Sequence, residues 1–207
     1  MRTDPRQLAE NPRPTGRAVG AADDEVLLRR FAGGDAHAAR VLAARHLPRL
    51  LSLGRRMLGD PAEAEDVAQE AMLRLWRQAP RWRAGDAQVS TWLYRVASNL
   101  CIDRLRRTDR TVAADPDAVP EVADDRPGPE AALTEKARLR VLDAALAALP
   151  DRQRQAVVLR HIEGLSNPEI AEIMEISVEA VESLTARGKR ALARALAARK
   201  EELGYDG

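Results

Sequence analysis

Between Asp109 and Ala132 the chain reads DRTVAADPDAVPEVADDRPGPEAA. Pro116, Pro120, Pro127 and Pro129 each fix φ and remove a backbone donor, so no regular element runs through that stretch. The segment is read as a flexible linker over 109–132, and whatever folds must lie in 23–108 or in 133–200. The linker is also acidic: Asp109, Asp115, Asp117, Glu121, Asp124, Asp125 and Glu130 face only Arg110 and Arg126. Such a run is either a simple solvated tether or a working part. Extended at ~3.3–3.6 Å per residue it spans roughly 80 Å, about two turns of duplex.

The first block has helical periodicity throughout. Asp23 or Asp24 is expected to cap a helix whose Val26, Leu27 and Phe31 share a side, ended by Gly33 and Gly34. Val41, Leu42, Leu50, Leu53 and Met57 form a second series, kinked near Pro48 and stopped by Gly59. Asp60-Pro61-Ala62-Glu63 is a helix start with a capping aspartate and proline at the first position. Behind it Ala64, Val67, Ala71 and Leu75 recur inward. The opposite side carries Glu63, Asp66, Gln69, Glu70 and Arg77, either a solvated face or a partner surface. After the loop PRWRAGDAQVS, Ser90 is expected to cap a helix through TWLYRVASNLCIDRLRR, with Leu93, Val96, Ala97 and Leu100 inward and Arg95, Asn99 and Arg106 on the other side. Phe31, Trp76, Trp82, Trp92 and Tyr94 all fall in this block. Aromatics beside arginines suit stacking on exposed bases, and they equally suit holding helices together.

In the second block Leu139, Leu142, Leu146 and Leu149 predict a helix from Glu135 to Pro150, and DRQRQAVVLRHIEG a second from Asp151 to Gly164. Ser166-Asn167-Pro168-Glu169 is a capping box. It opens a short helix with Ile170, Ala171, Ile173 and Met174 inward. Ser177 caps a last helix with Val181, Leu184 and Leu192 inward. Two short helices about a tight turn form a helix-turn-helix, whose second helix enters the major groove of DNA. Its outer side offers Glu179, Ala180, Glu182, Ser183, Ala186, Arg187, Lys189 and Arg190. A helical hairpin in a plain bundle is the alternative.

Composition narrows the classes further. The chain has 207 residues, 45% of them apolar and 31% charged, with no apolar stretch near the ~20 residues a membrane helix needs. Residues 1–22 hold four arginines and no apolar core, so they read as a disordered cytoplasmic tail and not as a secretory signal; 201–207 reads as a C-terminal tail. The single Cys101 excludes an internal disulfide, and His37, His46 and His161 are scattered, so neither metal nor cofactor is expected. Cys101 lies on an apolar helix, either as a core residue or as an oxidisable thiol. There is no phosphate-cradling glycine loop and no convergent set of acids and histidines, so an enzyme with a small-molecule substrate is not expected. The net charge of +1 predicts weak DNA binding by the free chain, because phosphate neutralisation supplies most non-specific affinity.

Three stretches, HLPRLLSLGRRMLGDPAEAEDVAQEAMLRLW, STWLYRVASNLCIDRLRR and LPDRQRQAVVLRHIEGLSNPEIAEIMEISVEAVESLTARGKRAL, resemble, in this order and around this linker, the extracytoplasmic-function group of bacterial RNA polymerase sigma factors. The resemblance implies an all-α chain of two small helical domains, with 23–108 corresponding to sigma region 2, 109–132 to the linker and 133–200 to the helix-turn-helix of region 4. It implies an alternative transcription initiation factor that binds core RNA polymerase, recognises -10 and -35 promoter DNA and assists melting, in the cytoplasm and under an anti-sigma factor.

Residue by residue, it makes Asp66, Gln69 and Glu70 core-polymerase contacts. Trp82, Arg83, Gly85, Asp86 and Ser90 correspond to a loop that captures a flipped -10 base, with Thr91, Trp92, Arg95 and Asn99 on the helix behind it. Ser177, Glu179, Ala180, Ser183, Arg187, Lys189 and Arg190 are the implied -35 contacts. The acidic linker resembles a segment that threads toward the polymerase active site. Met72 stands where the family often has phenylalanine, and Glu182 and Leu184 stand where many members carry basic residues. The competing functions are a sigma mimic that sequesters an anti-sigma factor, and an ordinary helix-turn-helix regulator that dimerises through the first block.

Overall fold

The computed structural model describes residues 16–83, 85, 87–114 and 130–197, with side chains from 23 to 108 (84 and 86 apart), at 110 and from 138 to 197. Every regular element among them is helical: α1 (Gly16–Ala32), α2 (Ala36–Leu58), α3 (Pro61–Gln78) with a 3-10 turn (Ala79–Arg81), α4 (Val89–Ala114), α5 (Glu130–Ala147), α6 (Asp151–Val157) with a π-helical turn (Val158–Ile162), α7 (Asn167–Met174) and α8 (Val178–Ala197). Residues 1–15, 115–129 and 198–207, which include most of the expected tails and linker, lie outside the described residues.

Local chemistry sets the helix ends. Asp35 accepts from the His37 and Ala38 amides at 2.8 and 3.2 Å and starts α2; hydrogen bonding to the Ala38 amide, helped by Arg30, holds its carboxyl below the usual range. Gly59, left-handed at φ 74°, ends α2 and donates to the Arg55 carbonyl. Asp60 accepts from the Ala62 and Glu63 amides and starts α3, as its sequence requires. α2 runs continuously through Pro48.

α2 is the hub of the first block. It packs on α1, α3 and α4, burying Leu42, Leu50, Leu53 and Met57 against Leu28, Val67, Leu75 and Leu93. The closest approach is at Gly54, where a Cβ would lie 2.9 Å from both the Cα and Cβ of Ala64. In the second block Leu146, Val157, Leu159, Ile170, Ile173 and Val181 are buried, and the apolar core continues from one block into the other.

Several boundaries and faces differ from the sequence reading. α1 begins at Gly16, so neither Asp23 nor Asp24 caps it. Asp24 is instead buried beside His46, 2.9 Å away, and pairs with Arg45. Val26 is exposed: two residues from the fully buried Leu28, it falls on the far side of the helix. Ser90 is not a cap, because α4 starts at Val89 and the Trp92 amide already donates to the Gln88 carbonyl at 3.0 Å. α4 reaches Ala114 and α5 starts at Glu130, so helix takes up both ends of the expected linker.

Leu139 is exposed as well. Leu146 and Leu149 are buried and Leu142 packs against the core, as the leucine series requires, and Val141 and Ala145 join them on the inward side of α5. The helix from Asp151 does not stay α-helical. The Glu163 amide bonds the Val158 carbonyl five residues back, which widens the turn before Gly164 closes it at φ 70°.

Candidate nucleic-acid interface

The expected site residues fall on three surfaces. On α3, Asp66 and Gln69 point to solvent, and Glu70 is half-buried under Arg74, whose Nε donates to it at 2.8 Å. That hydrogen bond holds the Glu70 carboxyl below its usual range. Leu73 lies on the same stripe and is exposed at 47%. The sequence reading passed over it, and it adds one exposed apolar side chain to a polar stripe. One turn beyond Leu73, Trp76 packs on Phe31 with ring centroids 4.6 Å apart, so these two aromatics hold helices together.

The second surface is a recess of 380 Å³ where α3 passes through its 3-10 turn toward α4. Gln78, Trp82, Arg83, Ala87, Trp92 and Arg95 line it. The Trp82 and Trp92 rings meet edge to face, with centroids 5.9 Å apart, and both are half-buried against the core. Arg83, Gly85 and Asn99 are exposed and Ser90 is half-buried; Asp86 lies outside the described residues. Gly85 has φ 87°, a conformation that favours glycine. Gln78 and Ala87 belong to this lining and were missed.

Thr91 does not reach the recess. It is buried, at i, i+3, i+7 and i+10 with Tyr94, Ser98 and Cys101 on the inward stripe of α4. Tyr94 is likewise buried and donates its hydroxyl to Glu163 Oε2 at 2.7 Å, so it offers no stacking face. Burial pushes the Cys101 thiol up to about 12, which suits a core residue and not a redox sensor.

The third surface is the helix-turn-helix. The capping box at the start of α7 is complete: the Glu169 amide donates to Ser166 Oγ and the Ser166 amide to Glu169 Oε2. Ser177 Oγ accepts from the Ala180 amide at 3.2 Å and starts α8. The Glu179 backbone amide and the Ser177 hydroxyl hold the Glu179 carboxyl below its usual range. Val181 and Gly188 face inward. Glu179, Ser183, Arg187, Lys189 and Arg190 are exposed along one outer side, with Ala180 half-buried at its edge.

Of the two departures on this helix, Leu184 packs against the core, and Glu182 accepts from Asn167 Nδ2 at 3.3 Å, tying α8 to the start of α7. Both residues serve the fold of the motif.

Comparison with known proteins accords with this layout. Residues 42–111 match sigma-70 region 2, and residues 139–192 match sigma-70 region 4. The chain is similar to the ECF RNA polymerase sigma factor SigW of Bacillus subtilis, 33% identical over 79% of this chain and 91% of that one. The chain belongs to the extracytoplasmic-function sigma factors. It is also 36% identical to SigM of Mycobacterium tuberculosis, over 84% of each chain, and 31% identical to the sigma-E factor of Escherichia coli, over 82% of this chain and 92% of that one.

Among solved structures, CnrH in complex with the cytosolic domain of CnrY superposes with a TM-score of 0.63 at 27% identity, covering 84% of this chain and 97% of that one. As a sigma factor of this group the chain is an alternative transcription initiation factor working with RNA polymerase and promoter DNA. Among the described residues no helix is long and apolar enough to cross a membrane.

Proposed function

We propose that this sigma factor divides its work among the three surfaces. The outer face of α3, with Asp66, Gln69 and Glu70, docks on core polymerase. The recess of Trp82, Arg83, Trp92 and Arg95, with Gly85, Asp86, Ser90 and Asn99 around it, takes a base from the non-template strand of the -10 element. The outer face of α8 reads the -35 duplex through Ser183, Arg187, Lys189 and Arg190, with Glu179 and Ala180 at the rim and Ser177 fixing the helix start.

The observation that carries this reading is the recess: two half-buried indoles and two guanidiniums line one open volume beside α4, the side-chain types that stack on a base and pair with phosphate. Extruding a base costs a few kcal/mol, which stacking and hydrogen bonds in the pocket offset, so melting is driven by binding. The chain performs no catalysis of its own and acts in the cytoplasm beside the polymerase. An anti-sigma factor holds it inactive.

Run-off transcription with purified core polymerase on a genomic promoter library tests the reading. Initiation is expected with the wild-type chain and is expected to vanish when Asp66 and Gln69 become alanine. Initiation that survives loss of both Trp82 and Arg95 would rule out the recess as the -10 site.

A further inference from the structure

The recognition helix α8 carries both signs of charge, and they are sorted along its length. Ser183, Ala186 and Arg190 follow Glu179 by four, seven and eleven residues, so the four share one stripe, and all four are exposed. Val181 and Gly188 are buried on the opposite side and Leu184 packs against the core, so this stripe is the one that α8 turns away from its own block. It opens with a carboxylate and closes with a guanidinium. Glu179 lies in the first turn, and Arg187, the first cation after it on α8, comes eight residues later, about 12 Å along the axis.

A helix laid in the major groove meets base edges through its N-terminal residues. There Glu179 is both fixed and unneutralised. Its carboxylate accepts from its own backbone amide and from the Ser177 hydroxyl, and among the described residues no cation acts on it. An ionised carboxylate has about four acceptor sites, so those two bonds orient the side chain and leave lone pairs for a further donor. Brought against duplex phosphates, such a group weakens binding wherever no donor meets it.

The major groove offers few donors. Cytosine N4 and adenine N6 carry amines, whereas guanine N7 and O6 and thymine O4 only accept. Adenine sets N7 beside its amine, lone pair against the second carboxylate oxygen; cytosine sets a C–H there.

We propose that Glu179 is a base-reading residue of this sigma factor: its carboxylate accepts from the N4 amine of a cytosine at the -35 position under the first turn of α8, and it rejects guanine and thymine there. Arg187 and Arg190 grip phosphates whatever the sequence, and Glu179 lowers the affinity of every site that lacks the amine. The proposal deepens the reading of α8 as the -35 helix and rests on it.

The test uses holoenzyme assembled from core polymerase and the full chain, a promoter library randomised over the -35 element, and sequencing of the bound DNA. Wild type is expected to favour cytosine at one position by about tenfold over guanine and thymine. Glu179→Ala is expected to flatten that preference to within about twofold, and Glu179→Gln, whose amide pairs with adenine N6 and N7, to move it to adenine, with the other positions unchanged. A cytosine preference that survives Glu179→Ala overturns the proposal by assigning the base to another side chain. Variants that bind all sequences more tightly by one common factor overturn it too, since Glu179 is then only a repulsive charge. So does a wild-type preference for any base but cytosine at the position the variants change. Preferences that respond to Ser183→Ala or Arg190→Ala and to neither Glu179 variant uphold the -35 reading and sink the proposal alone; no base preference anywhere in the element overturns both.

Discussion

Gly54→Ala is the sharpest test of how the first block is held together. In most helices this change stabilises, because alanine is favoured over glycine by about 1 kcal/mol. Here the new methyl would sit 2.9 Å from the Cα and Cβ of Ala64, and the Ala64 carbonyl oxygen would be at 3.3 Å. Carbon atoms prefer ~3.5–4.0 Å, so the two helices must separate by roughly half an ångström or more. The obstacle includes backbone and cannot swing aside. Overpacking typically costs ~1–3 kcal/mol, and a backbone clash belongs at the upper end. With the propensity gain subtracted, the expected net loss is about 2 kcal/mol, or roughly 8–16 °C in Tm for a block of this size. Scanning calorimetry on the full chain measures it. Gly59→Ala, where a Cβ meets nothing but φ is 74°, is the comparison, since it fails through conformation alone. A Gly54→Ala protein that melts at or above the wild-type temperature would refute the close-approach argument.

Other expectations are narrower. Asp60→Ala removes the cap of α3 and should cost about 1 kcal/mol in urea unfolding with an unchanged m value; a midpoint that does not move would deny the cap its role. Cys101, with its thiol pushed up to about 12, should resist disulfide reagents in the native protein at mildly alkaline pH and react fully once unfolded; rapid stoichiometric modification of the folded chain would contradict its burial. Glu70 should titrate below its usual range by NMR and return toward it in Arg74→Ala, since the Arg74 hydrogen bond is the leading cause. Its folded-state value is depressed, so its contribution to stability is present above the ordinary carboxylate range and fades as pH falls through the folded value. No recovery of the Glu70 midpoint in that variant would exclude Arg74 as the cause.

The residues that announce themselves in sequence are those acting within one turn of their own position. Asp60, Gly59, the Ser166–Glu169 box and Ser177 each satisfy backbone groups two to four residues away, so spacing alone exposes them. The errors share a different origin. Leu28 was passed over for Val26, and Val141 for Leu139, because residue type was allowed to outvote helical phase, and phase is set by what the neighbouring helix covers. Asp24 looked like a cap since aspartates usually are; its partners Arg45 and His46 sit on another helix, and no local pattern foretells such a pairing.

The recess was half legible. Its tryptophans and Arg95 were visible as a cluster, whereas Gln78 and Ala87 enter only through the path of the turn after α3. Glu172 and Glu175 reach Arg95 from the second block, and no pattern in the sequence links them to it. Their meaning depends on a docking between blocks that no periodicity encodes.

Arg154 shows the same dependence at the centre of the molecule. It is buried, and its guanidinium donates to the Met57 carbonyl at 2.6 Å, the Ala147 carbonyl at 2.5 Å and the Leu149 carbonyl at 3.3 Å. Met57 lies in the last turn of α2, and Ala147 ends α5. Terminal carbonyls lack helical donors and carry the negative end of the dipole, so two helix ends converge on one cation. A buried charge is tolerated when its hydrogen bonds are made, and here the acceptors would otherwise be buried without a donor. Replacing Arg154 with methionine keeps most of the volume and leaves those carbonyls unpaired. Hydrogen bonds to charged groups contribute about 1.5–3 kcal/mol, and stranded acceptors cost a similar amount, so a loss of about 3 kcal/mol is expected in chemical denaturation. Lysine, a single point donor without the fork, should recover only part of it. Stability within about 0.5 kcal/mol of wild type would show that the helix ends find other donors and that Arg154 is not what joins them.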